Sequence, residues 1–396
     1  MTKITLKKGE GRTVSAGGIW IFDNEIQEAD GSYLNGEIVE VVSYKGDFIG
    51  YGYINDHSKI RIRLLSRHQG EKIDEAFFHE RIAKALRYRL NVLDDISSCR
   101  IVFSDADGLP GLIIDKYEDI LVFEIDTLGM AVRKEMLVKE TLNVFAEHAI
   151  SIQGIFERSD SRVRVLEGLN KENGILYGDC PEEVIIDENG IRFAVDIING
   201  QKTGHFLDQK ENHLAIRNIC RNKRVLDCCT HTGGFALSAA MTAKEVIGID
   251  ASKAAIEQAE RNSRLNGFTN TTFLIADVFD YLNELEEKNE KFDVIILDPP
   301  AFTKSHNSIK NATKGYKEIN YRAMRCLASG GYLVTCSCSE YISRDLFTKI
   351  ILNSANDAHK RLKMIECRAQ SKDHPIILGN NISEYLKCLI FEVNDR

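Results

Sequence analysis

The chain has 396 residues, 43% hydrophobic and 28% charged, a globular composition too long for one ordinary core, so two or three domains are expected. A net charge of -8 excludes a generally basic chain and confines any nucleic-acid contact to a local patch. No apolar run approaches the roughly 20 residues that cross a bilayer, Met1 to Glu10 lacks a signal peptide's apolar stretch, and the ten cysteines show neither CxxC pairing nor His partners at zinc spacing. The expectation is a cytoplasmic protein with reduced thiols, no metal and no membrane partner.

In chain order, Ile38 to Leu65 reads as short alternating strands broken by Lys45-Gly46-Asp47 and Asn55-Asp56, a small β-rich domain over 1–70. From Ile73 to Asn91 the apolar period becomes helical. Strand-like runs come next at Arg100 to Phe103, Leu112 to Lys116, Ile120 to Ile125 and Ile152 to Glu157, with a helix over Ala131 to Ala149. These make a central α+β domain over 71–183. Val184 to Ile198 reads as a hairpin turning at Asp187-Glu188-Asn189-Gly190. Beyond it, strands at Arg224 to Asp227, Glu245 to Asp250, Thr272 to Ala276, Phe292 to Leu297 and Gly331 to Cys336 alternate with helices such as Ala251 to Leu265 and Tyr316 to Leu327. Such alternation predicts a parallel, doubly wound α/β sheet, so that hairpin and Rossmann-like domain together fill 184–396.

In such sheets the ligand lies beyond the carboxyl ends of the strands. Four consecutive ends carry an acidic residue: Asp227, then Thr232, the paired glycines Gly233 and Gly234, and Phe235; Asp250 with Ala251; Asp277 with Val278; and Asp298 with Pro299 and Pro300. Asp250 stands where a carboxylate accepts both ribose hydroxyls, and Asp277 where it accepts from an adenine amino group. A lone strand-end Asp is more often a helix cap; four in order point to a nucleoside cofactor. Nicotinamide dinucleotides need Gly-x-Gly-x-x-Gly to seat a pyrophosphate, which 227–235 lacks. S-adenosylmethionine needs no such loop, so a class I methyltransferase domain is expected. The Gly200-Gln201-Lys202-Thr203-Gly204 loop and Phe206 contact cofactor or RNA, or merely join hairpin to helix.

The acceptor is read from the residues after Asp298-Pro299-Pro300. Enzymes that methylate exocyclic base nitrogens place an aromatic residue there to stack on the base; here Ala301 stands in that position and Phe302 comes one later, either to stack or to plug the core. On the fifth strand Cys336 and Cys338 share a face, with Cys338 nearer the open end. Cytosine C5 is too poor a nucleophile to attack a methyl sulfonium unless a thiolate first adds to C6. Cys338 is the candidate thiolate, Asp298 the candidate partner of the N3/N4 edge, and Cys336 an ordinary buried cysteine. No residue is identified as the base that removes the C5 proton.

At these residues the chain resembles the bacterial 23S ribosomal RNA 5-methylcytosine methyltransferases of the RlmI type over nearly its whole length. The resemblance rests on Gly17 to Phe22, the Arg61/Arg63 strand, Gly200 to Gln209, Thr232 to Phe235, Asp298 to Phe302, Gly315 to Asn320, Ser337-Cys338-Ser339, Asp373-His374-Pro375 and Tyr385-Leu386-Lys387. It implies an N-terminal PUA-like domain, a C-terminal catalytic domain, S-adenosylmethionine as cofactor and 23S rRNA cytosine as substrate. Gly18-Ile19 replaces the family's usual His-Pro, and Ala301 stands where many RNA 5-methylcytosine enzymes carry a second cysteine.

Lys59, Arg61 and Arg63 on one strand face, with Arg67, Arg81, Lys84 and Arg87 nearby, form the candidate RNA-binding patch. A homodimer is a candidate assembly. Two rival readings stay open: a methyltransferase acting on a guanine or adenine nitrogen, and a non-catalytic RNA-binding ribosome-assembly factor.

Overall fold

The alternating runs near the N-terminus form β1 (Lys3–Leu6), β2 (Trp20–Phe22), β3 (Ile26–Asp30), β4 (Ile38–Val42), β5 (Phe48–Ile54) and β6 (Ile60–Ser66). They make a six-stranded sheet in the order β2-β6-β5-β4-β1-β3. Pairing is antiparallel except between β1 and β4, and alternate residues such as Ile4, Leu6, Val39, Val41 and Ile62 meet in its core. The computed structural model describes residues 1–200, 203–303, 308–378 and 383–396. They fall into two units, the first comprising Met1–Ile186, Val195–Leu207 and Lys372–Ser383, and the second Asp187–Ala194, Asp208–Ser371 and Glu384–Arg396.

Unit 1 also contains β7 (Ser98–Phe103), β8 (Leu112–Tyr117), β9 (Ile120–Ile125), β10 (Gly154–Ser159) and β11 (Glu172–Gly178), which form a five-stranded sheet in the order β11-β10-β9-β8-β7. The helix Glu75–Val92 starts where the Asp74 side chain accepts from the Phe77 amide, an N-cap that satisfies one of the helix's unpaired amides. Phe78, Ile82 and Leu86 of this helix, with Leu137, Val144 and Phe145 of the helix Lys134–Glu147, cover one face of the sheet. Tyr53 of β5 joins the same core and donates to Pro110 O at 2.7 Å. Its ring lies over Gly129, where a Cβ would come within 2.1 Å of the ring, so the contact requires glycine. The Asp373-His374-Pro375 motif is anchored here: Asp373 accepts from the Arg100 amide at 2.8 Å, and its carbonyl accepts from the buried Arg89 at 2.6 Å.

One expected RNA contact is corrected by this unit. Arg63 does share a strand face with Arg61, but the chain around Glu167 covers that part of the face. Arg63 is 5% exposed and its guanidinium meets Glu167 at 2.9 Å, the carboxylate also accepting from Asn55 at 2.9 Å. It is a structural ion pair, not a phosphate ligand. Removing one partner leaves a buried charge uncompensated, so Arg63→Met is expected to lower unfolding stability by about 3–5 kcal/mol. In urea melts, Arg63→Met with Glu167→Leu should recover most of that loss; a single variant as stable as wild type would contradict the assignment.

The hairpin, β12 (Glu183–Glu188) and β13 (Ile191–Asp196), begins in unit 1 and turns in unit 2. The other strands of unit 2 are β14 (Arg224–Cys228), β15 (Glu245–Asp250), β16 (Thr271–Ile275), β17 (Phe292–Leu297), β18 (Leu327–Ser337), β19 (Lys360–Arg368) and β20 (Lys387–Asp395). They form a seven-stranded sheet in the order β16-β15-β14-β17-β18-β20-β19. The five expected strands are parallel. β20 then inserts antiparallel between β18 and β19. Helices Ile309–Cys326 and Arg344–Asp357 bury Tyr316, Ile319, Phe347 and Ile351 with the central strands in one core. No helix among the described residues is long and apolar enough to cross a membrane.

Candidate active site

The parallel pairing puts Asp227, Asp250, Asp277 and Asp298 at or just beyond the carboxyl ends of four adjacent strands. After β14 the chain turns back through Cys229 (φ 63°), His231 (φ 50°) and Gly233 (φ 94°). Two of these three left-handed positions are not glycine, a strain that persists where the surroundings over-determine the loop. Thr230 donates to Asp227 at 2.6 Å, the His231 amide donates to Asp250 at 3.0 Å, and the buried Asn262 donates to the Thr232 carbonyl at 3.0 Å. Neither glycine nor spacing marks Asn262 and the two strained residues in the sequence.

Asp227 is 1% exposed, and its Oδ1 has no donor in hydrogen-bond geometry among the described residues. Burial, reinforced by the neighbouring Asp298 and opposed by the Thr230 hydroxyl, pushes its carboxyl up to about 7. Asp250 also accepts from the Ser252 amide at 2.8 Å. Asp277 does cap a helix: one oxygen accepts from the Phe279 and Asp280 amides at 2.8 and 3.2 Å. A further pair, which no sequence motif announces, is His213 and Glu188, at 2.6 Å and both buried. Burial opposes the imidazolium, but the Glu188 carboxylate outweighs it and raises the His213 pKa above its ordinary value. The His213 ring stands edge-on to Phe235 at 4.5 Å.

Asp298 accepts from Gln209 at 3.0 Å, and Gln209 in turn accepts from the buried Asn212 at 2.7 Å. The neighbouring Asp208 accepts from the Tyr385 hydroxyl at 2.6 Å. The Cys338 thiol, partly exposed, lies 4.0 Å from the Pro299 carbonyl, so β17 and β18 bring the candidate nucleophile to the Asp298-Pro299-Pro300 motif. Ser337 and Ser339 on either side of it bond to the buried Tyr316 hydroxyl at 3.0 and 2.9 Å. Cys336 is fully buried beside Cys388, and burial holds its thiol well above the ordinary value. Phe302, half-buried, meets the Tyr316 ring at 4.6 Å with the planes tilted by 54° and packs against the core.

Lys202 lies outside the described residues, as does Gln201. Thr203 and Phe206 belong to unit 1, where the Thr203 hydroxyl donates to Asp115 at 2.5 Å. Asp115 itself is held by Arg100 at 2.7 and 2.8 Å. Of the basic patch, Lys59 is exposed, Arg61 pairs with Asp56, and Arg67 donates to the Gly18 carbonyl at 2.6 Å.

The family model of S-adenosylmethionine-dependent methyltransferases matches residues 154–391, and that of a PUA-like domain matches 4–67. Ribosomal RNA large subunit methyltransferase I of Aliivibrio fischeri is 39% identical over 390 residues, 97% of each chain; that of Vibrio cholerae is 38% identical over 392 residues, again 97% of each. The chain belongs to this methyltransferase family. Among solved structures, a Streptococcus mutans protein described as a SAM-dependent methyltransferase superimposes with a TM-score of 0.83, covering 99% of this chain and 100% of the other. A methyltransferase complexed with SAH gives 0.84 over the same shares. Both are 21% identical, a likeness of fold. The residues present fit the family's cofactor, whose ammonium, sulfonium, ribose hydroxyls and adenine amine need acceptors or negative charge: the strand ends carry carboxylates, one of them buried with an oxygen that no donor among the described residues meets in hydrogen-bond geometry.

Proposed function

We propose that this methyltransferase forms 5-methylcytosine in the RNA of the large ribosomal subunit, 23S rRNA, through a covalent adduct on Cys338. The observation that carries the reading is the approach of the Cys338 thiol to the Asp298-Pro299-Pro300 turn. Ala301 in place of an aromatic residue directly after Asp298-Pro299-Pro300, with Phe302 packed against Tyr316 at 4.6 Å, supports carbon over nitrogen as the acceptor. The names of the relatives support ribosomal RNA as the substrate class.

Asp227, Asp250 and Asp277, with Thr232, Gly233, Phe235, Ala251, Val278 and Pro299, hold the cofactor, which supplies an electrophilic methyl group when bound. Cys338 adds as thiolate to C6 of the cytosine and makes C5 nucleophilic. Once C5 carries the methyl group, a base takes the C5 proton, the electron pair re-forms the C5–C6 double bond, and the S–C6 bond breaks to release the thiolate. Asp298, oriented by Gln209, hydrogen-bonds the N3/N4 edge and stabilises the charge that develops there. Lys59, Arg61 and Arg67 contact backbone phosphates while the base is unstacked.

Nucleoside mass spectrometry of ribosomal RNA from cells with and without the gene tests substrate and product together. The expected result is loss of one 5-methylcytidine from the large-subunit RNA of the deletion strain. Loss of an N-methylated purine would overturn the reading.

A further inference from the structure

Lys387, whose role the proposed chemistry leaves open, is almost fully enclosed at the start of β20, 2% exposed. Its Cα partner across the sheet is Ser337, the residue before Cys338. Its ammonium donates to the carbonyl of Ser339, the residue after, at 2.6 Å, and to the Tyr385 carbonyl at 2.8 Å. The ammonium thus sits against the three-residue segment that carries the thiol. No carboxylate among the described residues lies within ion-pair distance of it. A buried ammonium held only by carbonyls is unfavourable unless another anion compensates it.

We propose that Lys387 is a positioning residue for Cys338: it fixes the Ser337-Cys338-Ser339 turn and supplies the positive charge against which the Cys338 thiolate forms. Burial acts most strongly on the ammonium and lowers the Lys387 pKa to about 8. Of the charged groups around it, the Cys338 thiolate favours the ammonium most, ahead of Glu384 and Glu340, and Arg344 opposes it. The Tyr316 hydroxyl faces the same turn from the helix Ile309–Cys326, with its pKa pushed up to about 12, chiefly by burial. It stays neutral and contributes hydrogen bonds without charge. The support Lys387 gives the thiolate is therefore present below about pH 8 and fades as its ammonium deprotonates.

This inference rests on Cys338 acting as the nucleophile, but its test needs neither RNA nor turnover. The rate of Cys338 alkylation by iodoacetamide, followed by peptide mass spectrometry from pH 5 to 10 on the full chain, reads its thiolate fraction. In wild type the midpoint should lie about one unit or more below the ordinary thiol value of about 8.5. Lys387→Met should raise it, slowing alkylation at pH 7 about tenfold, whereas Lys387→Arg should keep it low. A wild-type midpoint at or above the ordinary value overturns the proposal even where Lys387→Met does not fold. So does a Lys387→Met profile that superimposes on wild type. If alkylation behaves as expected while Cys338→Ala still methylates RNA, the adduct mechanism fails and the charge pairing stands.

Discussion

Replacing Cys338 by alanine should abolish methyl transfer to RNA, by at least about 10⁴-fold, while leaving S-adenosylmethionine affinity within about twofold of wild type. The two halves of the expectation have separate physical sources. Cofactor contacts are assigned to the ends of β14, β15, β16 and β17, whereas the thiol belongs to the end of β18. Losing it leaves the carboxylates and the strained turn after β14 in place. Without thiolate addition, cytosine C5 has too little electron density to attack a methyl group, and Cys336 cannot substitute. Two residues earlier on the strand, it is sealed beside Cys388 with its thiol held protonated by burial. Cys336→Ala should therefore retain turnover. Transfer of a labelled methyl group to RNA and calorimetric titration with the cofactor check the two halves; full activity in Cys338→Ala would exclude the covalent route.

The parallel strands are legible in the sequence because both their faces are covered, which makes them short continuous apolar runs between helical segments. β11 is not, since Glu172 to Gly178 is an edge strand with mostly exposed, mixed side chains. The place of β20 is hidden for another reason: its apolar run marks a strand, but nothing local says that it inserts antiparallel beside β18. Arg63 illustrates the limit of strand periodicity. A period of two assigns residues to a common face without saying what covers that face, and Glu167 lies about a hundred residues downstream of it. At the site, the strand-end carboxylates are readable because topology fixes where strands end. The Glu188 and His213 pair and the strain at Cys229 and His231 are not, because they arise from contacts and dihedrals that only the assembled sheet imposes.

Asp227→Asn should make the cofactor-free protein more stable at pH 8 and at the same time weaken cofactor binding. The buried carboxyl is raised from about 3.9 in the unfolded chain to about 7, so the folded protein prefers its protonated form. With the folded value above the unfolded one, this group's stabilising proton is fully bound below about pH 4 and is lost as pH rises through about 7. Above that, keeping Asp227 ionised costs about 4 kcal/mol, a cost that asparagine does not carry. The urea midpoints of variant and wild type should coincide near pH 4, separate between pH 4 and 7, and stay apart above it. A destabilising group is retained where its charge acts on a ligand, and the cationic cofactor restores what the carboxylate lacks. Wild-type affinity should therefore rise as pH passes from 6 to 8, while that of Asp227→Asn stays low and flat. A variant that binds as tightly as wild type at pH 8, or melts earlier there, would remove Asp227 from the cofactor site.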